Sequence, residues 1–325
     1  MPVRAGSDMA AIRRARAYLV RVAEPPAPAL GALIDAQGPV AAAELVRAGT
    51  VPSAVLDETA ARRHLDLADD DFAAADAVGA RLVIPEDDEW PTRPLSALTT
   101  GPDPSWAVAP VAVWARGPAR LADMFDNALS ILGARAATDY GDTIAADTAY
   151  RLACARITVV SGGNYGIEEA ACRGALAAGG ITAVVSPTGI DIAYPIGNAT
   201  LLDRIADGGV VITEYPPGTP PARRRFRSRS RLIAALSGAT LVVEANARST
   251  AKAAAARAAA LGRTVMAVPG PVTSVASAGC HELIRTGVAV LVSSWDEVKD
   301  EFDTARRPLL APLRPQPARP AEDNQ

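Results

Sequence analysis

The sequence predicts an α/β protein: a doubly wound, mostly parallel sheet covered by helices on both faces, preceded by a small all-helical N-terminal domain. Three observations carry this. From Ala128 onward seven short apolar runs recur, each fit to be a strand buried on both faces: ALSILGAR, ITVVSGG, TAVVSP, VVITEY, TLVVEA, TVMAVPG and VAVLVS. Between them lie alanine-rich helical stretches such as EEAACRGALAAG, NATLLDRIAD and TAKAAAARAAALG. Strand and helix in alternation imply crossover connections and hence parallel pairing. The resulting domain, over 128–303, is Rossmann-like.

The elements ahead of it read in order. In MAAIRRARAYLVRV, residues Ile12, Ala15, Leu19 and Val22 share a helical stripe, which prolines 25, 26 and 28 end. LGALIDAQGPVAAAELVRAG then predicts two small helices joined at Gly38-Pro39, so that 1–80 reads as a helical accessory domain of sterile-alpha-motif or helix-hairpin-helix type. Residues 81–127 are rich in proline and tryptophan and are expected to be a linker with one strand, VAVWARG. After Phe302 periodicity fades and proline rises, and 304–325 is expected to be a disordered tail.

Composition narrows the function. With 325 residues and 49% apolar content the chain can bury more than one core. A net charge of −3 excludes a generally basic binder, so any polyanion site must be local. Lys252 and Lys299 are the only lysines among 33 basic residues, which favours bidentate guanidinium recognition of phosphate. Cys154, Cys172 and Cys280 show no paired spacing, as expected of a chain in a reducing cytoplasm rather than one with a disulfide or zinc framework. No apolar run has the length of a signal peptide or a membrane span, and no membrane partner is expected.

Ligands of such sheets bind beyond the carboxyl ends of strands. Those ends carry Gly133-Ala134-Arg135, Ser161-Gly162-Gly163, Thr213-Glu214-Tyr215, Glu244-Ala245-Asn246 and Pro269-Gly270. Glycine admits close backbone approach to a phosphate, and Arg135 is placed to clamp an anion. A dinucleotide cofactor is disfavoured because no G-x-G-x-x-G opens the first helix, and the P-loop and nucleophile-elbow sequences are missing too. No cofactor, metal or catalytic residue is therefore expected. The histidines are His64 and His281; a Cys172–His281 pair is less plausible than a buried cysteine unrelated to that histidine.

The most unusual stretch is EYPPGTPPARRRFRSRSRLIAALS, with six arginines between Ala222 and Arg231. Read as an extended loop leading into a helix at RLIAALS, it would set Arg225, Arg227, Arg229 and Arg231 in one row facing solvent or a polyanion. Phe226 within the row would offer a stacking face for an unpaired base. A solvated basic loop is the plainer reading of the same residues.

Taken together, GARAATDYG, SGGNYGIEEAACRGAL, GIDIAYP, ITEYPPGTPP, FRSRSRLIAALS, VVEANARS, AVPGPV and SAGCHELIRTG resemble the DNA-processing protein A (DprA, also called Smf) family over about 85–300. The resemblance implies an extended Rossmann domain that binds single-stranded DNA without sequence preference, without catalysis, and passes it to the recombinase RecA in DNA uptake and transformation. It also implies a homodimer. By position, Arg135, Ser161, Gly162 and Gly163 would hold a phosphate; Arg225, Phe226, Arg227, Arg229 and Arg231 would stack on and clamp the strand; Ser249 and Lys252 would lie near the same groove. The chain departs from the family pattern at Asn164, Tyr165, Glu168, Cys172, Arg227, Ser230, Thr250 and His281, and Thr250 places a Cβ where the family has glycine. The winged-helix domain that many members carry is not expected after Phe302. Alternatives are a Rossmann protein for a nucleotide-derived small molecule, or a module that has lost DNA and binds protein.

Overall fold

A computed structural model describes residues 3–306. The chain begins with five helices: α1 (Val3–Val22), α2 (Pro28–Gln37), α3 (Pro39–Ala48), α4 (Ser53–Thr59) and α5 (Ala68–Asp76). Gly38 joins α2 to α3 with φ of 77°, a left-handed turn that suits glycine, and Pro39 opens α3 where no amide donor is needed. Of the expected stripe of α1, Ala15, Leu19 and Val22 pack on α2–α4, whereas Ile12 packs with the sheet-side core. Its other side also buries Ala17 and Val20 against the sheet. Helix α1 is thus the wedge that seats the helical region on the α/β body.

The body comprises β1 (Ala80–Val83), α6 (Thr92–Thr99), β2 (Val113–Arg116), α7 (Leu121–Met124), β3 (Ala128–Leu132), α8 (Asp139–Cys154), β4 (Thr158–Ser161), α9 (Ile167–Ala177), β5 (Thr182–Val185), α10 (Ala199–Gly208), β6 (Val210–Thr213), α11 (Arg223–Ala235), β7 (Ala239–Val242), α12 (Thr250–Ala260), β8 (Thr264–Ala267), α13 (Ala278–Arg285), β9 (Val290–Leu291) and α14 (Trp295–Arg306). All seven apolar runs after Ala128 contain strands. The segment 81–127 holds more than the one strand expected: β1 and β2 both join the sheet, with β2 antiparallel to β1 on one side and to β6 on the other. Of the expected tail, 304–306 close α14 and the remainder lies outside the described residues.

The nine strands form one sheet in the order β1-β2-β6-β5-β4-β3-β7-β8-β9, parallel from β6 to β9. Alternate residues enter opposite cores: Ala128 and Leu132 face α11 and α12, while Leu129 and Ile131 face α8 and α9. Winding starts at β3, runs outward through β4 to β6, then returns to continue from β7 on the other side of β3. The carboxyl ends of β3 and β7 therefore send their chains to opposite faces, which opens a crevice between them.

Candidate nucleic-acid interface

The arginine stretch is not an extended loop. Helix α11 starts at Arg223, about two turns before the expected start at Arg231. Arginine is a good helix former, and helical rather than alternating geometry re-sorts the side chains. Arg225, Arg229 and Arg231 turn inward and are buried, whereas Arg223, Arg224 and Arg227 remain exposed.

The inward guanidinium groups are partnered, as buried charge requires. Arg231 donates to both carboxylate oxygens of Glu214, each at 2.5 Å, and its Nε donates to the Val108 carbonyl at 3.0 Å. Arg225 donates through Nε to Glu24 at 2.6 Å. Arg229 donates to the carbonyls of Gly162 (2.7 Å) and Val185 (3.1 Å), with Glu168 at 3.8 Å. Burial pulls the Arg229 pKa below that of a free guanidinium, against the opposing pull of Glu168. Glu24 feels burial upward, but hydrogen bonds from Arg225, Arg224 and Arg62 override it and hold the carboxyl at about 2. The expectation that Arg225, Arg227, Arg229 and Arg231 form one row facing solvent or a polyanion is thus corrected, since of the four only Arg227 is exposed. The acids come from the loop after α1, from α9 and from the end of β6, and Arg225, Arg229 and Arg231 are structural.

The turn after β4 is covered as well. Ser161 is fully buried and donates to the Ile131 carbonyl at 3.2 Å. Gly162 lies under Arg229, whose guanidinium would be 2.5 Å from an added Cβ, and the Gly163 carbonyl accepts from Asn198 at 3.1 Å. Ser161, Gly162 and Gly163 therefore support the site from beneath and do not line it.

What lines it is an open groove of about 780 Å³ at the crevice between β3 and β7. One wall is Gly133–Ala136; another is Asn246–Thr250; the first turn of α11 supplies Arg223, Phe226 and Arg227. Arg135, Arg223, Arg227 and Arg248 make no ion pair among the described residues, and no acidic side chain lines the groove. Phe226 is half-buried among them. The Arg135 and Arg229 guanidinium carbons lie 5.0 and 5.1 Å from its ring centre, and the Tyr194 ring meets it edge-on at 5.1 Å. Gly166, with φ of 74°, holds the Arg135 segment close, since a Cβ there would lie 2.5 Å from the carbonyls of Ala134 and Arg135. Ser249 caps α12, accepting from the Ala251 amide at 3.2 Å, so the first turns of α11 and α12 both border the groove and add positive helix-end character. Thr250 is exposed on its rim.

Of the residues anticipated from sequence, the fold brings together Arg135, Phe226, Arg227 and Ser249. Lys252 stands apart in an ion pair with Glu282 of α13, at 2.5 Å. Sequence reasoning did not place Arg223, Arg248 and Tyr194 in the site. Arg248 and Tyr194 sat within motifs already noted, NARS and GIDIAYP, in the connections that follow β7 and β5, and that was the available signal. Cys172 and His281 do not meet: Cys172 lies in the core on one face of the sheet and α13 packs on the other. Burial pushes both the Cys172 and Cys280 thiols up to about 12.

Fold and groove define a doubly wound α/β protein with a cationic, aromatic crevice at the point where the strand order reverses. The family described as DNA recombination-mediator protein A matches residues 81–303, and the chain belongs to that family. A Mycobacterium tuberculosis DNA processing protein DprA is 51% identical over 287 residues, which cover 88% of this chain and 74% of that protein. The X-ray structure of DNA processing protein A from Streptococcus pneumoniae superposes with a TM-score of 0.64 at 30% identity, covering 84% of this chain and 86% of that one. A structure of the Helicobacter pylori protein, which concerns its single-stranded DNA binding mode, shares the fold with a TM-score of 0.59 at 24% identity, covering 69% and 94%.

Proposed function

We propose that this chain binds single-stranded DNA without sequence preference in the groove between β3 and β7, acts without catalysis, and passes the strand to RecA in recombination and DNA uptake. The reading rests on one observation: four arginines that make no ion pair among the described residues line one groove with a half-buried phenyl ring and no lining acidic side chain, on a chain whose net charge is −3. Guanidinium groups follow phosphates irrespective of sequence, and an aromatic face stacks any base. Held among Arg135, Arg229 and Tyr194, Phe226 can stack only a base that has left its pair, which favours the single strand over the duplex. Family membership supports RecA as recipient, a homodimer as the working form and the cytoplasm as the compartment, where the three unpaired cysteines stay reduced.

The test is titration of a fluorescent oligothymidylate against a duplex of equal length over a range of salt. Four phosphate contacts per subunit predict that log affinity falls with log salt at a slope of about −3, and that each Arg→Ala change at 135, 223, 227 or 248 reduces the slope by about 0.7. Equal affinity for the duplex, or no binding in dilute buffer, would overturn the reading.

A further inference from the structure

The groove does not end at Phe226. Tyr194, whose ring touches Phe226, begins the short run Tyr194-Pro195-Ile196-Gly197 in the connection between β5 and α10. Ile196 is 79% exposed, and beside it Tyr165, from the turn before α9, is 44% exposed. Both are large, mostly apolar side chains left in contact with water. Tyr165 is nevertheless held in place: its ring lies on the backbone of Gly197, so closely that a Cβ there would be 2.4 Å from its hydroxyl oxygen. The backbone from Tyr194 to Gly197 spans at most about 11 Å, short enough for neighbouring nucleotides of one strand to reach both rings.

Charge along this track is also suited to a nucleic acid. Ile196, Thr200 and Arg204 recur at four-residue spacing through the short helical turn that runs into α10, and so lie along one side of it. Thr200 and Arg204 are exposed, and Arg204 makes no ion pair among the described residues. The nearby acids are engaged elsewhere: Asp203 with Arg116 at 2.8 Å, Glu169 with Arg173 at 3.7 Å, and Glu168 beneath the surface with Asn164 at 2.7 Å. Asp207, the other exposed acid of α10, lies in its last turn.

We infer that the strand bound in the groove continues over Tyr194 onto a second base-stacking site formed by Tyr165 and Ile196, with Arg204 as its phosphate contact. This rests on the groove reading and extends it, because it assigns a longer footprint to each subunit. A length series of oligothymidylates from four to sixteen nucleotides tests it with the full chain. Wild-type affinity rises in two steps, the first as the groove fills and the second as the strand reaches Tyr165. In Tyr165→Ala the second step is lost, and long oligonucleotides bind at least about fivefold more weakly while the shortest bind as before. Tyr165→Trp keeps the step, and Arg204→Ala reduces its salt dependence. Ultraviolet crosslinking of a long oligonucleotide bearing 5-iodouracil attaches to the peptide containing Tyr165. If short oligonucleotides bind but the second step is missing, or survives in Tyr165→Ala, the inference is overturned alone. If no length binds, the groove reading falls with it.

Discussion

Replacing Arg231 with alanine separates the structural account from the extended-loop reading, because the two predict opposite outcomes. Arg231 is 1% exposed and its partner Glu214 is 3% exposed, measured on the side chains. Both carboxylate oxygens receive a guanidinium N–H, and Nε holds the Val108 carbonyl. Truncation leaves a buried carboxylate with its charge uncompensated and the carbonyl without its donor. Breaking a buried pair in this way costs about 3–5 kcal/mol. At 2–4 °C per kcal/mol for a body of this size, the melting temperature should fall by about 6–20 °C. Circular dichroism melts and urea titration of wild type, Arg231→Ala and the apolar double variant Arg231→Met/Glu214→Leu would measure it. The double variant should recover most of the loss, since neither charge is then stranded. Below its melting temperature, Arg231→Ala should bind oligothymidylate within about twofold of wild type, a difference of roughly 0.4 kcal/mol. A variant that unfolds within about 1 kcal/mol of wild type but no longer binds would refute the buried-pair account and restore Arg231 to the interface.

Two further outcomes follow from the same buried chemistry. Glu24 has its folded-state pKa lowered from 4.5 to about 2, so its contribution is fully present above pH 4.5 and is lost as pH falls through 2. Glu24→Gln should therefore lower stability at pH 7 by about 2 kcal/mol once partial exposure is discounted, and urea midpoints of variant and wild type should converge between pH 4.5 and 2. With Cys172 and Cys280 buried and their thiols raised to about 12, Ellman's reagent should titrate Cys154 alone in the folded protein and the other two only in denaturant.

The parallel strands were legible because a strand buried on both faces must be apolar throughout, and VVITEY or TLVVEA can satisfy few other environments. Strand β1 was not: ARLV is four residues long, and its pairing with β2 is set by partners 30 to 36 residues away. Helix α11 was hidden for a different reason. Its first two turns bury guanidinium groups where a helix ordinarily buries aliphatic side chains, so RRRFRSRS shows no apolar period of 3.6. What makes burial tolerable are acids remote in sequence; Glu24 is 201 residues from Arg225. No local pattern encodes such a partner. The crevice itself was legible, since glycines and Arg135 recur at strand ends, but which arginines face it depended on the helix.

The division of the arginines also explains how an acidic chain can present a cationic groove. Arg225 and Arg231 are matched by Glu24 and Glu214, and Arg229 by strand-end carbonyls with Glu168 behind them, so their charges do little at the surface. They fix the first turns of α11 against β4, β5 and β6, and thereby fix where Arg223, Phe226 and Arg227 stand. An unstructured loop of the same composition would carry the same charge but would have to order each long side chain on binding, at about 0.5–1.5 kcal/mol apiece. Here the backbone is already helical and Phe226 is already packed between Arg229 and Tyr194, so mainly the outer guanidinium groups remain to be ordered. Among the buried arginines Arg229 is the one in contact with Phe226, and it acts on affinity through position alone: disturbing Arg229 should misplace Phe226 without removing any phosphate contact, leaving the salt slope unchanged while affinity falls.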